Sequence, residues 1–193
     1  MPNKPYMKEV VTALLKDNIP LCYYYHNYEH TLYVQEKAVQ IARHEGCNEK
    51  EIELLSAAAL WHDTGYINTY ANHEAASCLL AKKYLPGYGF TEHDIKIIEG
   101  MIMATKVPQS PTNKLEEIIA DADLEYLGTI HAAEKSELLY KELHALIPSL
   151  TAAAWHKMQV TFIQDHHYFT RYCKEYKEPV KQEYLKELLQ AGG

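Results

Sequence analysis

The 193-residue sequence is sparing with the residues that break regular structure. Glycine and proline number eight each, and they fall mostly between segments of helical periodicity. There is no internal repeat, no low-complexity tract and no long linker, which favours a single domain over residues 1–193. No apolar run approaches the ~20 residues of a membrane span. The first residues, "MPNKPYMKEVV", lack the pattern of a signal peptide. The four cysteines are scattered without a CxxC pair, as expected of a reduced cytoplasmic protein. No block of Lys and Arg occurs, and the formal net charge is -7. That argues against binding a nucleic-acid polymer through its phosphates. It leaves room for a small anion, which needs only one or two local cations.

What is present is helix, and no convincing strand alternation appears, so the expected class is all-α. The spacing predicts helices from Lys4 to Asp17, from Asn27 to Gly46, and from Asn48 to near Gly65. A fourth starts at Asn72, and a fifth opens on the capping box "TEHD" at Thr91. A sixth, "KLEEIIADADLEYLG", closes at Gly128. A long helix is expected through "TAAAWHKMQVTFIQDHHYFTRYCKEY", with Pro179 dividing it from a last amphipathic helix.

Eleven histidines exceed what packing needs. In "LWHDTGY" an apolar helix ends in His62 and Asp63. Side chains of neighbouring helical residues diverge by about 100°, so both can lean toward one point beside the helix end. His30 lies in "YHNYEH", with His26 just outside the helix that Asn27 caps. Imidazole plus carboxylate suits Zn, Mn, Fe, Co or Ni better than Ca. The plainer reading is that such histidines are hydrogen-bonded core or cap residues. In "IIADADLEYLG", Asp121 and Asp123 interrupt an apolar run. A buried unpaired carboxylate is costly, so each needs a partner. Two residues apart on a helix, they point to nearly opposite sides, and one of them is the candidate ligand.

His30, the HD pair about 30 residues on, and an Asp about 60 residues further resemble the HD superfamily of metal-dependent phosphohydrolases. "YHNYEH", "WHDTGY", "NHEAAS", "MATK" and "DADLEYLG" look like its group with YHNxxH and DADLxxLG motifs. The resemblance spans residues 25–128 and leaves 129–193 as a C-terminal helical extension of a compact helical HD-domain bundle. It implies one divalent ion (Mn, Ni, Co, Zn, Fe or Mg) held by His30, His62, Asp63 and either Asp123 or Asp121. Asp123 is favoured because "AD-L" recurs at this place in related phosphodiesterases. Two-metal relatives carry two further histidines. The interval here offers only His73 and His93 near helix starts, with Thr105 and Lys106 at the end of the fifth helix, which favours one ion.

The implied activity is attack of metal-activated water on a phosphate ester of a small phosphorylated molecule, such as a nucleotide. Asp63, or the non-ligating Asp of the 121/123 pair, would orient the water. Lys106 would neutralise phosphate, and His26 would donate a proton or contact substrate. Glu74 would support a ligand histidine. "DHHYF", Asp165 to Phe169, reads as the polar side of a long helix rather than a second site. Two alternatives share the scaffold: a metal-binding regulatory or ligand-sensing module, and a non-phosphate hydrolase or lyase. The oligomeric state is open.

Overall fold

A computed structural model describes residues 6–191. Its regular structure is helical, with no strand among the described residues. Ten α-helices follow one another. They are α1 (Met7–Asn18), α2 (Tyr28–His44), α3 (Glu49–Trp61), α4 (His73–Tyr84), α5 (Glu92–Ala104), α6 (Lys114–Asp123), α7 (Ala132–Leu146), α8 (Ala152–Asp165), α9 (Arg171–Tyr176) and α10 (Glu178–Ala191). Short 3-10 turns at Thr64–Ile67, Leu85–Tyr88 and Glu125–Gly128 follow α3, α4 and α6. The start expected for the first helix, Lys4, lies outside the described residues. Among them no helix is long and apolar enough to cross a membrane.

Local chemistry sets most helix starts. Asn27, Asn48, Thr91 and Asn113 each accept hydrogen bonds from backbone N–H groups of the first turn, which have no partner within the helix. Thr91 and Asp94 complete a reciprocal capping box, as do Asn48 and Glu51. Asn72 departs from expectation. It adopts a left-handed conformation (φ 56°), makes no cap hydrogen bond, and instead accepts one from Lys106 Nζ at 3.0 Å.

Two apolar clusters organise the chain. The larger draws on α1 to α6, with Leu55, Trp61, Ile98, Met101 and Ile118 among its fully buried members. The smaller joins Leu124 and Leu127 to Ile163 of α8 and to Tyr184 and Leu185 of α10. The segment Leu124–Gly128 thus links the metal-motif helices to the C-terminal ones.

Three expectations about helix ends are corrected. The third helix stops at Trp61, and Gly65 lies beyond it in a 3-10 turn. A Cβ on Gly65 would overlap the His73 carbonyl and the Ser77 amide, so glycine is required there for close approach of α4. The "DADLEYLG" helix ends at Asp123, and its Gly128 lies against the Lys177 backbone, where a Cβ would collide. The long helix breaks after Asp165. Phe169 N and Thr170 N donate to the Asp121 carboxylate at 2.9 and 2.8 Å, and the Thr170 hydroxyl donates at 2.6 Å. Tyr168 is buried, with its hydroxyl donating to Leu124 O at 3.1 Å. Those interactions hold "HHYF" out of a helix, so it is not a helix's polar side.

Candidate metal centre

Four elements deliver the central residues. Asn27 Oδ1 accepts from Glu29 N and His30 N, fixing the start of α2 so that His30 faces inward from its first turn. Tyr25 covers the His30 ring, with centroids 4.6 Å apart. His62 follows the last residue of α3, and its Nδ1–H donates to Ala59 O at 2.8 Å. That bond assigns the proton to Nδ1 and leaves the Nε2 lone pair free to ligate, the arrangement metal-binding histidines use. Asp63 starts the 3-10 turn, which is pinned by the Thr64 hydroxyl on Trp61 O and by Gly65 N on Ser77 Oγ. Asp123 ends α6.

The four side chains converge. His30 Nε2 lies 3.0 Å from Asp123 Oδ1 and 3.3 Å from Asp63 Oδ2. His62 Nε2 lies 3.2 Å from Asp63 Oδ2 and 3.5 Å from Asp123 Oδ1. One ligand atom each from His30, His62 and Asp123 falls within 4.8 Å of the others. His62 and Asp63 are almost wholly buried, yet His62 Nε2 and Asp63 Oδ2 make no hydrogen bond. Buried polar atoms are rarely left so. Two imidazole nitrogens and two carboxylates form a donor set suited to a divalent transition ion, and an ion at their focus would satisfy both atoms.

The electrostatics agree. Burial works to lower the pKa values of His30 and His62, but the carboxylates of Asp63 and Asp123 raise both above the ordinary histidine value. Burial would raise Asp63 and Asp123, but the adjacent imidazoles hold both below the usual carboxylate range. The centre therefore favours positive charge between its acids, whether carried by protons or by a cation.

Asp121, the alternative ligand, is directed away. Both its oxygens are occupied by Phe169 and Thr170, so it anchors the C-terminal segment instead. Burial outweighs those bonds and raises its pKa. Its oxygens point to that segment, and the structure does not bring them to the centre, where its other expected role, orienting water, would be exercised. His73, read from sequence as a helix-start residue, sits beside the centre with Nε2 3.4 Å from Asp63 Oδ1. Glu74 is buried, with Oε1 3.7 Å from His73 Nε2. His93 lies in the first turn of α5 and is exposed.

A cavity of about 470 Å³ opens beside Asp63 and Asp123, a size typical of small-molecule sites. His26, His73 and Lys106 line it. The Tyr66 ring stacks between His26 (4.3 Å) and His73 (3.8 Å), fixing both imidazoles at the cavity edge. His26 Nδ1 pairs with Glu142 Oε1, while Glu142 Oε2 accepts from Tyr25 N (2.9 Å) and His26 N (3.0 Å). Burial pushes Glu142 up, but His26 and those two amides hold its carboxyl below the usual range. Sequence reasoning missed Glu142, which stands in an ordinary amphipathic helix, "SELLYKELHAL". Tyr66 was quoted within "WHDTGY", but its spacing alone does not disclose the stack.

The comparisons accord with this architecture. No curated protein matches the chain. A crystal structure of a predicted HD superfamily hydrolase from an uncultured Thermotogales bacterium superposes with a TM-score of 0.65 at 20% identity. The match covers 98% of this chain and 94% of that one, so the fold is shared across the C-terminal helices as well. The family model of the HD domain matches residues 27–125, which holds His30, His62, Asp63 and Asp123. With an all-helical bundle bringing those residues to one point, the chain belongs to the HD-domain family.

Proposed function

We propose that this protein is a metal-dependent hydrolase that cleaves a phosphate ester of a small molecule, using one divalent ion. The observation that carries the reading is the convergence of His30, His62, Asp63 and Asp123 beside a cavity, with His62 Nε2 and Asp63 Oδ2 buried 3.2 Å apart and neither making a hydrogen bond. The solved relative's description as a predicted HD superfamily hydrolase supports it. An ion held there lowers the pKa of water and polarises a phosphoryl oxygen.

The chain's own residues divide the remaining work. Lys106, on the cavity wall, neutralises charge on the phosphoryl group. Asn72 Oδ1 holds its ammonium at 3.0 Å. Asp63 orients water through the oxygen that faces His73. His26 donates its Nδ1 proton to Glu142 and keeps Nε2 for exchange with substrate. In hydrolysis, water oxygen bonds to phosphorus and the ester oxygen leaves with the electrons of its P–O bond. That oxygen takes up a proton relayed through His26 Nε2. Cation-driven binding to a nucleic-acid polymer has no support, because Lys106 is the single Lys or Arg among the described residues lining the cavity.

The test is metal analysis of the purified protein, followed by phosphomonoester and phosphodiester screens with Mn, Co, Ni or Mg added. We expect bound divalent metal and phosphate-ester cleavage abolished by chelation. Metal-replete protein that cleaves no ester in either panel would overturn the reading.

A further inference from the structure

The cavity has two unlike halves, and the second is foreign to phosphate. Helix α8 lines it with Trp155, Met158, Gln159, Phe162 and Ile163, spaced so that all lie on one face. Across from that face stand Leu124 and Leu127, beside the metal-binding end of α6, and Leu139 of α7. Only Ile163 of α8 is fully buried, and Met158 stays 51% exposed. A helix that turns an aromatic and thioether-bearing face to an open cavity forgoes the burial that normally drives its docking.

Several polar groups of this half are engaged within the protein. Gln159 Nε2 donates to Ser136 Oγ and to Tyr184 OH (2.9 Å), and the Thr105 hydroxyl donates to Ile102 O at 2.8 Å. The Tyr126 hydroxyl is paired with Tyr25. Their engagement reduces what is left to bind the hydroxyls of a sugar or polyol. At the other end, Lys106 is the lone Lys or Arg among the described lining residues, and the acids Asp63, Glu74 and Asp123 line the same cavity. One lysine and one divalent ion match the charge of a single phosphate better than that of a di- or triphosphate.

We propose that the substrate is a monophosphate ester of an apolar, ring-bearing alcohol, with its phosphate at the metal centre and its ring against α8. This rests on the phosphate-ester reading above and narrows it. The apolar face discriminates by hydrophobic contact, which separates ligands by an order of magnitude or more per buried ring.

The test compares binding of two non-hydrolysable probes, 1-naphthyl phosphonate and methyl phosphonate, to the Mn-loaded full-length protein by calorimetry. Sharing one phosphonate group, they differ only in the apolar body. We expect the naphthyl probe to bind at least about tenfold tighter. Trp155→Ala should cut that ratio by about fivefold or more. Met158→Gln, at a half-exposed position, should cut it less. In parallel, kcat/KM for 2-(1-naphthyl)ethyl phosphate should exceed that for glycerol phosphate, both being esters of aliphatic alcohols. Equal affinity for the two probes, or a ratio unmoved by both variants, overturns the proposal even if esters are cleaved. A retained ratio with no hydrolysis of any ester sinks the phosphohydrolase reading and leaves the apolar subsite standing.

Discussion

Asp121 and Asp123 share the last turn of α6, and they divide the molecule between them. Asp123 faces a cluster of imidazoles in which His62 Nε2 and Asp63 Oδ2 lack hydrogen-bond partners. Asp121 faces the C-terminal helices, where three donors from Phe169 and Thr170 saturate it. The other buried acids on that side follow Asp121. Glu125 is held by Lys177 and Tyr33, and Glu142 by His26 and two amides. Lys181, wholly buried, donates to Glu178 (2.9 Å), to His166 O (2.6 Å) and to His166 Nδ1 (3.1 Å). A buried acid alone therefore marks nothing. His166 Nε2, also buried without a hydrogen bond, stands alone on the C-terminal side, whereas the centre brings two such atoms, His62 Nε2 and Asp63 Oδ2, to 3.2 Å of each other.

Substitutions on the two sides should fail differently. The largest effect is expected for His62→Ala, which removes a nitrogen that no other group replaces. Divalent metal content should fall below stoichiometric and ester cleavage should drop by at least about a hundredfold, with helicity retained by circular dichroism. Asp121→Ala should do the reverse, lowering stability by about 2–3 kcal/mol in urea unfolding because three donors lose a charged acceptor, while metal content is preserved. If Asp121→Ala lost metal and stayed stable, the division between the two acids would collapse.

Glu142→Gln sits between the regions. It weakens the hold on His26 Nδ1 and should reduce kcat about tenfold with metal content unchanged, since Glu142 touches no ligand. An unaltered kcat would separate His26 from the chemistry. The smallest effect concerns pH. Burial and the neighbouring Lys181 ammonium push His166 down to about 3 from 6.5. Between those values the unfolded chain binds the proton that the folded chain refuses, so stability falls as pH falls. Wild-type protein should lose about 1 kcal/mol more between pH 6.5 and 5.5 than His166→Asn, read from urea midpoints.

Much of the helical architecture was legible because caps and periodicity are local. Asn27, Asn48 and Thr91 announce their helices within four residues. His30 and the HD pair were legible because polar, metal-competent groups interrupt apolar runs in a recognisable order. The choice between Asp121 and Asp123 was not, since it depends on Phe169 and Thr170, far along the chain. The break after Asp165 was hidden for the same reason. Glu142 has the sequence surroundings of any surface acid, and only the fold carries it under Tyr25 and His26. The need for glycine at position 65 was not legible either, because the backbone it must clear belongs to α4.

The seating of residues 168–170 on α6 has a consequence for how such an enzyme can be altered. The segment that follows α8 is fastened to the end of α6 by Asp121 and Leu124 O, at the far end of α8 from Trp155, whose face is the proposed apolar subsite. Positions 155, 158 and 162 can be varied as a set without disturbing that fastening. Diversity introduced there should yield new substrate ranges on an intact catalytic frame, whereas diversity at 168–170 should yield mostly unstable proteins. On the proposed reading, the fold keeps what the protein recognises apart from what it does to it.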